Sequence, residues 1–236
     1  MSVSFLIPAF NEGKRIRQVL EAVRSLNLES QLVVVDDGST DDTAAVVEAW
    51  AAEHPGWVAL IQQPNRGKGA AVRKAIGSMT GDIVVIQDAD MEYDPADVPR
   101  LIEPIQRGVA DVVYGSRLSG GQPQRAYLFW HLVGNRFLSL LCGMLFNTTL
   151  SDMETGYKAF RADCLRQLHL TRDDFGIEPE ITGEVCRRGM RVYEMPIAYY
   201  GRTYSEGKNI TWRDGIIAVW VLLTVRLRRS ARRGQQ

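Results

Sequence analysis

A largely parallel α/β sheet covered by helices on both faces is the fold class that this 236-residue sequence predicts. Three observations carry it. Short aliphatic runs alternate with segments of helical spacing through the first half. Those runs are apolar at successive positions, as strands buried on both faces are. Four of them end in unusual chemistry: Pro8-Ala9-Phe10-Asn11-Glu12, Asp36-Asp37-Gly38-Ser39, Asp88-Ala89-Asp90 and Gly115-Ser116-Arg117. In open α/β sheets ligands bind beyond the carboxyl ends of the strands, so these four turns are expected at one edge.

The elements follow in chain order. Residues 3–7 form an apolar run closed by Pro8, and 12–26 has helical spacing at Ile16, Val19, Leu20 and Val23. Residues 31–35 read as a second strand, after which Ser39 or Thr40 is placed to cap a helix over 41–53. A third strand is expected over 57–62. The glycine-rich turn 64–69 then feeds a helix over 70–78. Residues 83–86 read as the fourth strand, 95–107 as a helix and 111–114 as another strand. Residues 126–150 are apolar but interrupted by His131, Asn135 and Arg136, the pattern of one or more amphipathic helices. Phe175-Gly176-Ile177-Glu178-Pro179-Glu180 leads into a helix through Cys186, and 192–197 reads as a strand. A polar loop bounded by Gly201 and Gly207 carries Arg202 and Lys208.

Composition narrows the function. Lys and Arg number 28, as do Asp and Glu, so overall charge points to no nucleic-acid partner. The N-terminal apolar run is too short for a signal peptide and has no basic flank. Cys142, Cys164 and Cys186 lack CxxC spacing and read as reduced, buried thiols. The first strand is not followed by GxGxxG, Gly67-Lys68-Gly69 is not a P-loop, and no GxSxG occurs. Asp88 and Asp90, two residues apart at a strand end, face the same side. Two anions held together call for a positive partner, and a hard divalent cation suits oxygen ligands best.

Taken with Asn65-Arg66-Gly67-Lys68-Gly69 and Asp152-Met153-Glu154-Thr155-Gly156-Tyr157-Lys158, these turns occur in the order seen in a known family. The chain resembles a family 2 glycosyltransferase with the GT-A fold, a Rossmann-like α/β sheet. Gly115-Ser116-Arg117, the segment 155–158 and Gly201-Arg202-Thr203 with Gly207-Lys208 resemble its dolichol-phosphate mannosyltransferase-like, or polyprenyl-phosphate glycosyltransferase, branch. That resemblance implies a metal-dependent inverting transfer of a hexose from GDP-mannose or a UDP-hexose to polyprenyl phosphate. It implies Mg²⁺ or Mn²⁺ on Asp88 and Asp90, with Glu92 as a third ligand. The nucleotide sugar would be met by Pro8, Ala9, Asn11, Glu12, Val35, Asp37, Gly67, Lys68, Asp88, Ala89, Arg202 and Lys208. Arg117 and Arg136 would hold the acceptor phosphate, and Asp90, Asp152 and Arg117 are the expected catalytic residues. A phosphate monoester is already anionic, so Asp152 is expected to orient groups rather than remove a proton.

The family domain is expected over 1–209. Residues 210–236 would form an amphipathic helix and basic tail. No window reaches the roughly 20 apolar residues of a bilayer span. The apolar run 215–225, followed by Arg226, Arg228, Arg229, Arg232 and Arg233, instead suits contact with the cytoplasmic face of a membrane. Two other readings compete: the same donor chemistry with a soluble hydroxyl acceptor, and a non-catalytic nucleotide-sugar-binding protein. Oligomeric state is not legible in the residues.

Overall fold

The computed structural model describes residues 1–126, 128–202 and 212–228. Among them, seven strands form one sheet in the order β3-β2-β1-β4-β6-β5-β7. β1 (Val3–Ala9) lies between β2 (Ser30–Asp36) and β4 (Ile83–Ile86), parallel to both. β3 (Val58–Gln62) extends the sheet beyond β2, also in parallel. On the other side β6 (Lys158–Arg161) runs antiparallel between β4 and β5 (Val112–Ser116), and β7 (Val192–Pro196) pairs parallel with β5.

The aliphatic runs are explained by two cores, one on each face. Phe5, Ile7, Leu32 and Val34 pack with α1 (Gly13–Ser25), α2 (Thr43–Glu53) and α4 (Val98–Gln106) through Ile16, Leu20, Trp50, Leu101 and Ile105. Their neighbours Leu6, Val33 and Val35 face the other way. They meet α3 (Lys68–Ile76) and α7 (Ile177–Arg187) through Ala71, Val72, Ala75, Ile181 and Val185. Successive strand residues point to opposite faces, so a sheet covered twice needs apolar residues at every position. A third, smaller cluster joins α5 (Phe129–Phe146) to α8 (Trp212–Leu227) through Leu138, Cys142, Ala218 and Leu222. The short α6 (Ala162–Arg166) follows β6. Cys142 and Cys164 are buried free thiols as expected; Cys186 is only partly buried.

The sheet is largely parallel as expected, with β6 its one antiparallel member. Two expectations are corrected. No strand was expected over 158–161. The run Lys-Ala-Phe-Arg is short and charged at both ends, so it lacks an apolar signature. The start of α2 also differs. Neither Ser39 nor Thr40 caps it; Asp41 instead accepts the amides of Thr43 (3.0 Å) and Gly13 (3.1 Å). Ser39 and Thr40 are taken by Asn11, whose amide bonds Ser39 Oγ (2.9 Å) and whose Oδ1 accepts Thr40 N–H (2.8 Å).

The reversed direction of β6 positions the site. All other strands deliver their carboxyl ends to one edge, and β6 delivers its amino end there. The turn from Asp152 to Tyr157 therefore lies beside Asp88 and Ser116.

At the opposite edge Asp111 pins three strands. It accepts from Arg191 Nη2 (2.7 Å), Nε (3.1 Å) and backbone N–H (2.9 Å), and from Arg161 Nη1 (3.0 Å). The Arg191 hydrogen bonds lead in pushing its carboxyl down to about 2. A depressed carboxyl contributes stability above its ordinary range and loses it as pH falls through the folded value. Both arginines are half exposed, so screening leaves about 1 kcal/mol for this pin. Asp111→Asn is expected to lower urea-measured stability by that amount at neutral pH, with the gap closing as pH falls from about 4 toward 2.

Candidate active site

The edge is dominated by carboxylates, several of them met by a cation. Asp88, at the end of β4, pairs with Lys68 Nζ (2.8 Å to Oδ1), the first residue of α3. Lys68 also reaches Glu178 on α7 (3.2 Å). Asp90 and Glu92 turn toward Arg202. Its Nη2 lies 2.6 Å from Asp90 Oδ2, and its Nε 3.0 Å from Glu92 Oε1. Arg202 Nη1 bonds Glu12, from the β1–α1 turn, at 2.9 Å. One guanidinium thus joins three acids. Tyr199 O–H donates to the other Glu92 oxygen (2.7 Å).

Negative charge remains in excess around Asp90. Burial, with the nearby Asp88 and Glu92 charges, pushes its carboxyl up to about 7 against the opposing pull of Arg202. Hard oxygen donors beside such a potential fit Mg²⁺ or Mn²⁺, and Asp88 and Asp90 are the pair able to hold one. Among the described residues no group of three ligands is arranged for a metal. Glu92, the expected third ligand, accepts from Arg202 and Tyr199, and Asp90 shares the same guanidinium.

The residues expected to meet the nucleotide sugar divide by environment. Asp37 is buried and accepts Gln63 Nε2 (2.7 Å), Arg66 N–H (3.0 Å) and Gly67 N–H (2.7 Å). It shapes the glycine-rich turn directly. Gly67, at φ 101°, has backbone geometry open to few other residues. Ala9, Val35 and Ala89 are buried, Pro8 is half-buried, and Asn11 is exposed and tied to Thr40. Lys208 lies outside the described residues.

A second ionic unit stands alongside. Asp152 is fully buried and accepts four hydrogen bonds. Arg117 supplies its backbone N–H (2.9 Å), Nε (2.7 Å) and Nη2 (2.7 Å), and Asn135 Nδ2 on α5 supplies the last (2.7 Å). Burial acts to raise the Asp152 carboxyl, but the Arg117 charge and these hydrogen bonds outweigh it and hold the group below its ordinary value. Four bonds occupy the four lone-pair directions of a carboxylate. The Arg117 guanidinium also lies 5.2 Å from the Tyr199 ring centre, which links the two units.

Arg136 stands apart from Arg117. It is exposed on α5 and makes no hydrogen bond or ion pair with a described residue. It lines an open cavity of about 570 Å³ with Leu118, Leu140, Met144, Leu150 and Ser151. Asn135, one residue earlier, is the α5 residue that reaches the ionic unit. Its polar interruption of an apolar run was the available signal, though not its partner. Tyr93 and Tyr199 carried no positional signal, while Lys158 and Glu178 stand in segments the sequence singles out without giving either a role. Glu154 is a further acid here: its Oε1 is buried without a partner among the described residues, and burial pushes its carboxyl up to about 7.

Known proteins resemble this chain in sequence and in fold. Residues 4–168 match the family model described as glycosyl transferase family 2. The undecaprenyl-phosphate mannosyltransferase of Micrococcus luteus is 32% identical, over 96% of this chain and 99% of that protein. Glycosyltransferase AglJ of Haloferax volcanii is 31% identical, over 91% of this chain and 68% of that protein. Among solved structures, glucosyl-3-phosphoglycerate synthase from Mycobacterium tuberculosis, in complex with Mn²⁺, UDP and phosphoglyceric acid, superposes with a TM-score of 0.71. It is 21% identical, with 98% of this chain and 80% of that one covered, a likeness of fold.

The ion pairs separate structural from exposed arginines. Asp152→Asn leaves Arg117 buried without its counter-charge and is expected to cost about 3–5 kcal/mol in denaturant unfolding. Arg136→Ala is expected to stay within about 0.5 kcal/mol of the parent in the same measurement.

Proposed function

The chain belongs to glycosyl transferase family 2, on its polyprenyl-phosphate glycosyltransferase branch, and from that premise we propose that it moves a hexose from a nucleotide sugar to polyprenyl phosphate at a membrane surface. The saturation of Asp152 carries this reading. A hydroxyl acceptor needs a base to take its proton, whereas all four acceptor directions of Asp152 are filled by Arg117 and Asn135. A phosphate acceptor brings its own anionic oxygen. That oxygen attacks the anomeric carbon as the bond to the nucleoside diphosphate breaks, and no proton changes hands. Direct displacement of this kind inverts the anomeric configuration.

The chain's own groups have distinct tasks. Asp88 and Asp90 would hold a divalent cation, which neutralises the charge developing on the departing diphosphate. Arg202 and Lys68 add fixed positive charge on the same side, with Lys208 proposed as a further cation there. Asp37 keeps the glycine-rich turn in place for the nucleoside. On the acceptor side Asp152 aims Arg117, and Arg136 faces the open cavity where a phosphate with an apolar chain fits. GDP-mannose and UDP-hexoses are the donor candidates, and the name of the Micrococcus relative makes mannose the first sugar to test.

Two helices support a membrane contact. α5 exposes Phe129, Trp130, Val133, Phe137, Leu140 and Met144, while α8 exposes Ile216, Trp220, Leu223 and Leu227. Against the expectation that no window reaches a span, α5 is by length and composition long and apolar enough to cross a bilayer, its polar interruptions notwithstanding, but its other face packs on α8. We place both helices in the plane of the cytoplasmic membrane face, with their tryptophans at the interface. One observation favours a second acceptor class. Glu154, with its unpartnered oxygen and a value near neutrality, suits a general base for a hydroxyl.

Incubation with a panel of UDP- and GDP-sugars and Mn²⁺ or Mg²⁺, read by product mass, tests the reading. Short-chain polyprenyl phosphate is expected to gain one hexose, and chelation of the metal to abolish the product. Product on polyprenol or soluble alcohols, with none on the phosphate, selects the Glu154 reading. Arg136→Ala is expected to raise the acceptor KM about tenfold or more, as loss of a charge-assisted phosphate contact does. Trp130→Ser with Trp220→Ser is expected to reduce co-sedimentation with anionic liposomes; unchanged binding contradicts the membrane face.

A further inference from the structure

Glu178 belongs to a part of the sequence that the transfer reaction leaves unused, the segment 175–180. It is the second residue of α7, and its side chain is 5% exposed between two lysines. Lys68 approaches one oxygen, at 3.2 Å, and Lys158 the other. Lys158 is fully buried at the start of β6, where it also donates to the Thr155 carbonyl and lies 4.9 Å from the Tyr114 ring centre. Lys68 carries the row on to Asp88. Asp88, Lys68, Glu178 and Lys158 thus form a line of alternating charge, from the edge of the sheet into its core, whose charges cancel.

The near end of this line is held closely. A Cβ on Gly156 would fall 2.7 Å from Asp88 Oδ2 and 2.8 Å from Lys68 Nζ, so the backbone of the β6 turn walls the pair on one side. Lys68 cannot swing that way, and its direction is set by the two acids it bridges. A buried ion pair adds little net stability compared with apolar packing. What the line does alter is the potential at Asp88. With Glu178 present, the Lys68 charge is shared between two carboxylates. Without it, the whole charge rests on Asp88.

We propose that Glu178 is a positioning residue of the donor site: by taking part of the Lys68 charge, and itself balanced by Lys158, it leaves Asp88 negative enough to hold a divalent cation. The inference rests on the donor-site reading proposed above. Glu178 touches neither donor nor metal and acts through Lys68.

The test is a Mn²⁺ titration followed by the spin-resonance signal of the free ion, with saturating UDP in one series and GDP in another. Glu178→Gln leaves one unbalanced positive charge beside Asp88 and is expected to weaken Mn²⁺ binding about tenfold or more. Adding Lys158→Met removes that charge, and the double variant is expected to recover to within about threefold of the parent. A purely packing role predicts the reverse, since the double variant loses more contacts. Unchanged affinity in Glu178→Gln, or loss without recovery in the double variant, overturns the positioning role and leaves the donor site standing. Failure of the unaltered protein to bind Mn²⁺ with either nucleotide overturns the donor-site reading as well. Melting curves in metal-free buffer establish that each variant is folded. Should Glu178→Gln not fold, Lys158→Met alone decides the matter: it leaves the line net negative and is expected to bind Mn²⁺ more tightly, and equal or weaker binding overturns the proposal.

Discussion

Six carboxylates crowded at one edge of the sheet are held by cations, and the arrangement of the site follows from that pairing. Asp88, Asp90, Glu92, Glu12, Asp152 and Glu178 are all largely removed from water. An unpaired ion in such a place costs several kcal/mol. Arg202 meets three of the acids, Lys68 two, and Arg117 grips Asp152 from three directions. These partners come from segments far apart in the chain. The ionic contacts therefore fold the 202 region back over the end of β4, and the 152 region against the end of β5.

The antiparallel β6 makes this possible. A wholly parallel sheet would have sent the turn before Lys158 to the far edge, among the pins of Asp111. Reversal brings Asp152, Glu154 and Gly156 to the edge that already holds Asp88 and Ser116. Lys158 then enters the core at the first position of the strand, where Glu178 waits on α7. The donor-side acids and the Arg117–Asp152 unit are in this way built on one rigid sheet, with Tyr199 against both Glu92 and Arg117.

Much of this was legible in the residues, for identifiable reasons. Strands buried on both faces announce themselves as unbroken apolar runs, and β1, β2 and β4 were read within two residues of their observed limits. Asp88 and Asp90 were expected to share a side through the two-residue period of a strand, but β4 ends at Ile86 and the pair lies in the turn beyond it, each acid on a different cation. β6 was hidden because its ends are charged, and charge at a buried position makes sense only once Glu178 is known. Asp152 was recognisable as a site acid, but its saturation was not, since Arg117 lies 35 residues earlier. Ser39 and Thr40 looked like caps because a cap is a local signal. Their true partner, Asn11, is about 28 residues away, and local patterns carry nothing about it. Arg117 and Arg136 were grouped by residue type alone; the structure ties one to Asp152 and leaves the other over an open cavity.

In the proposed reaction the excess negative charge around Asp88 and Asp90 is the seat of donor binding. Calorimetric titration of the unaltered protein with UDP and with GDP, with Mn²⁺ and then with a chelator in its place, tests that claim most directly. One nucleoside diphosphate is predicted to bind with Mn²⁺ and to lose most of its affinity once the metal is chelated, because diphosphate and carboxylates then repel. Equal binding in chelator would contradict the account, since Lys68 and Arg202 alone would then suffice.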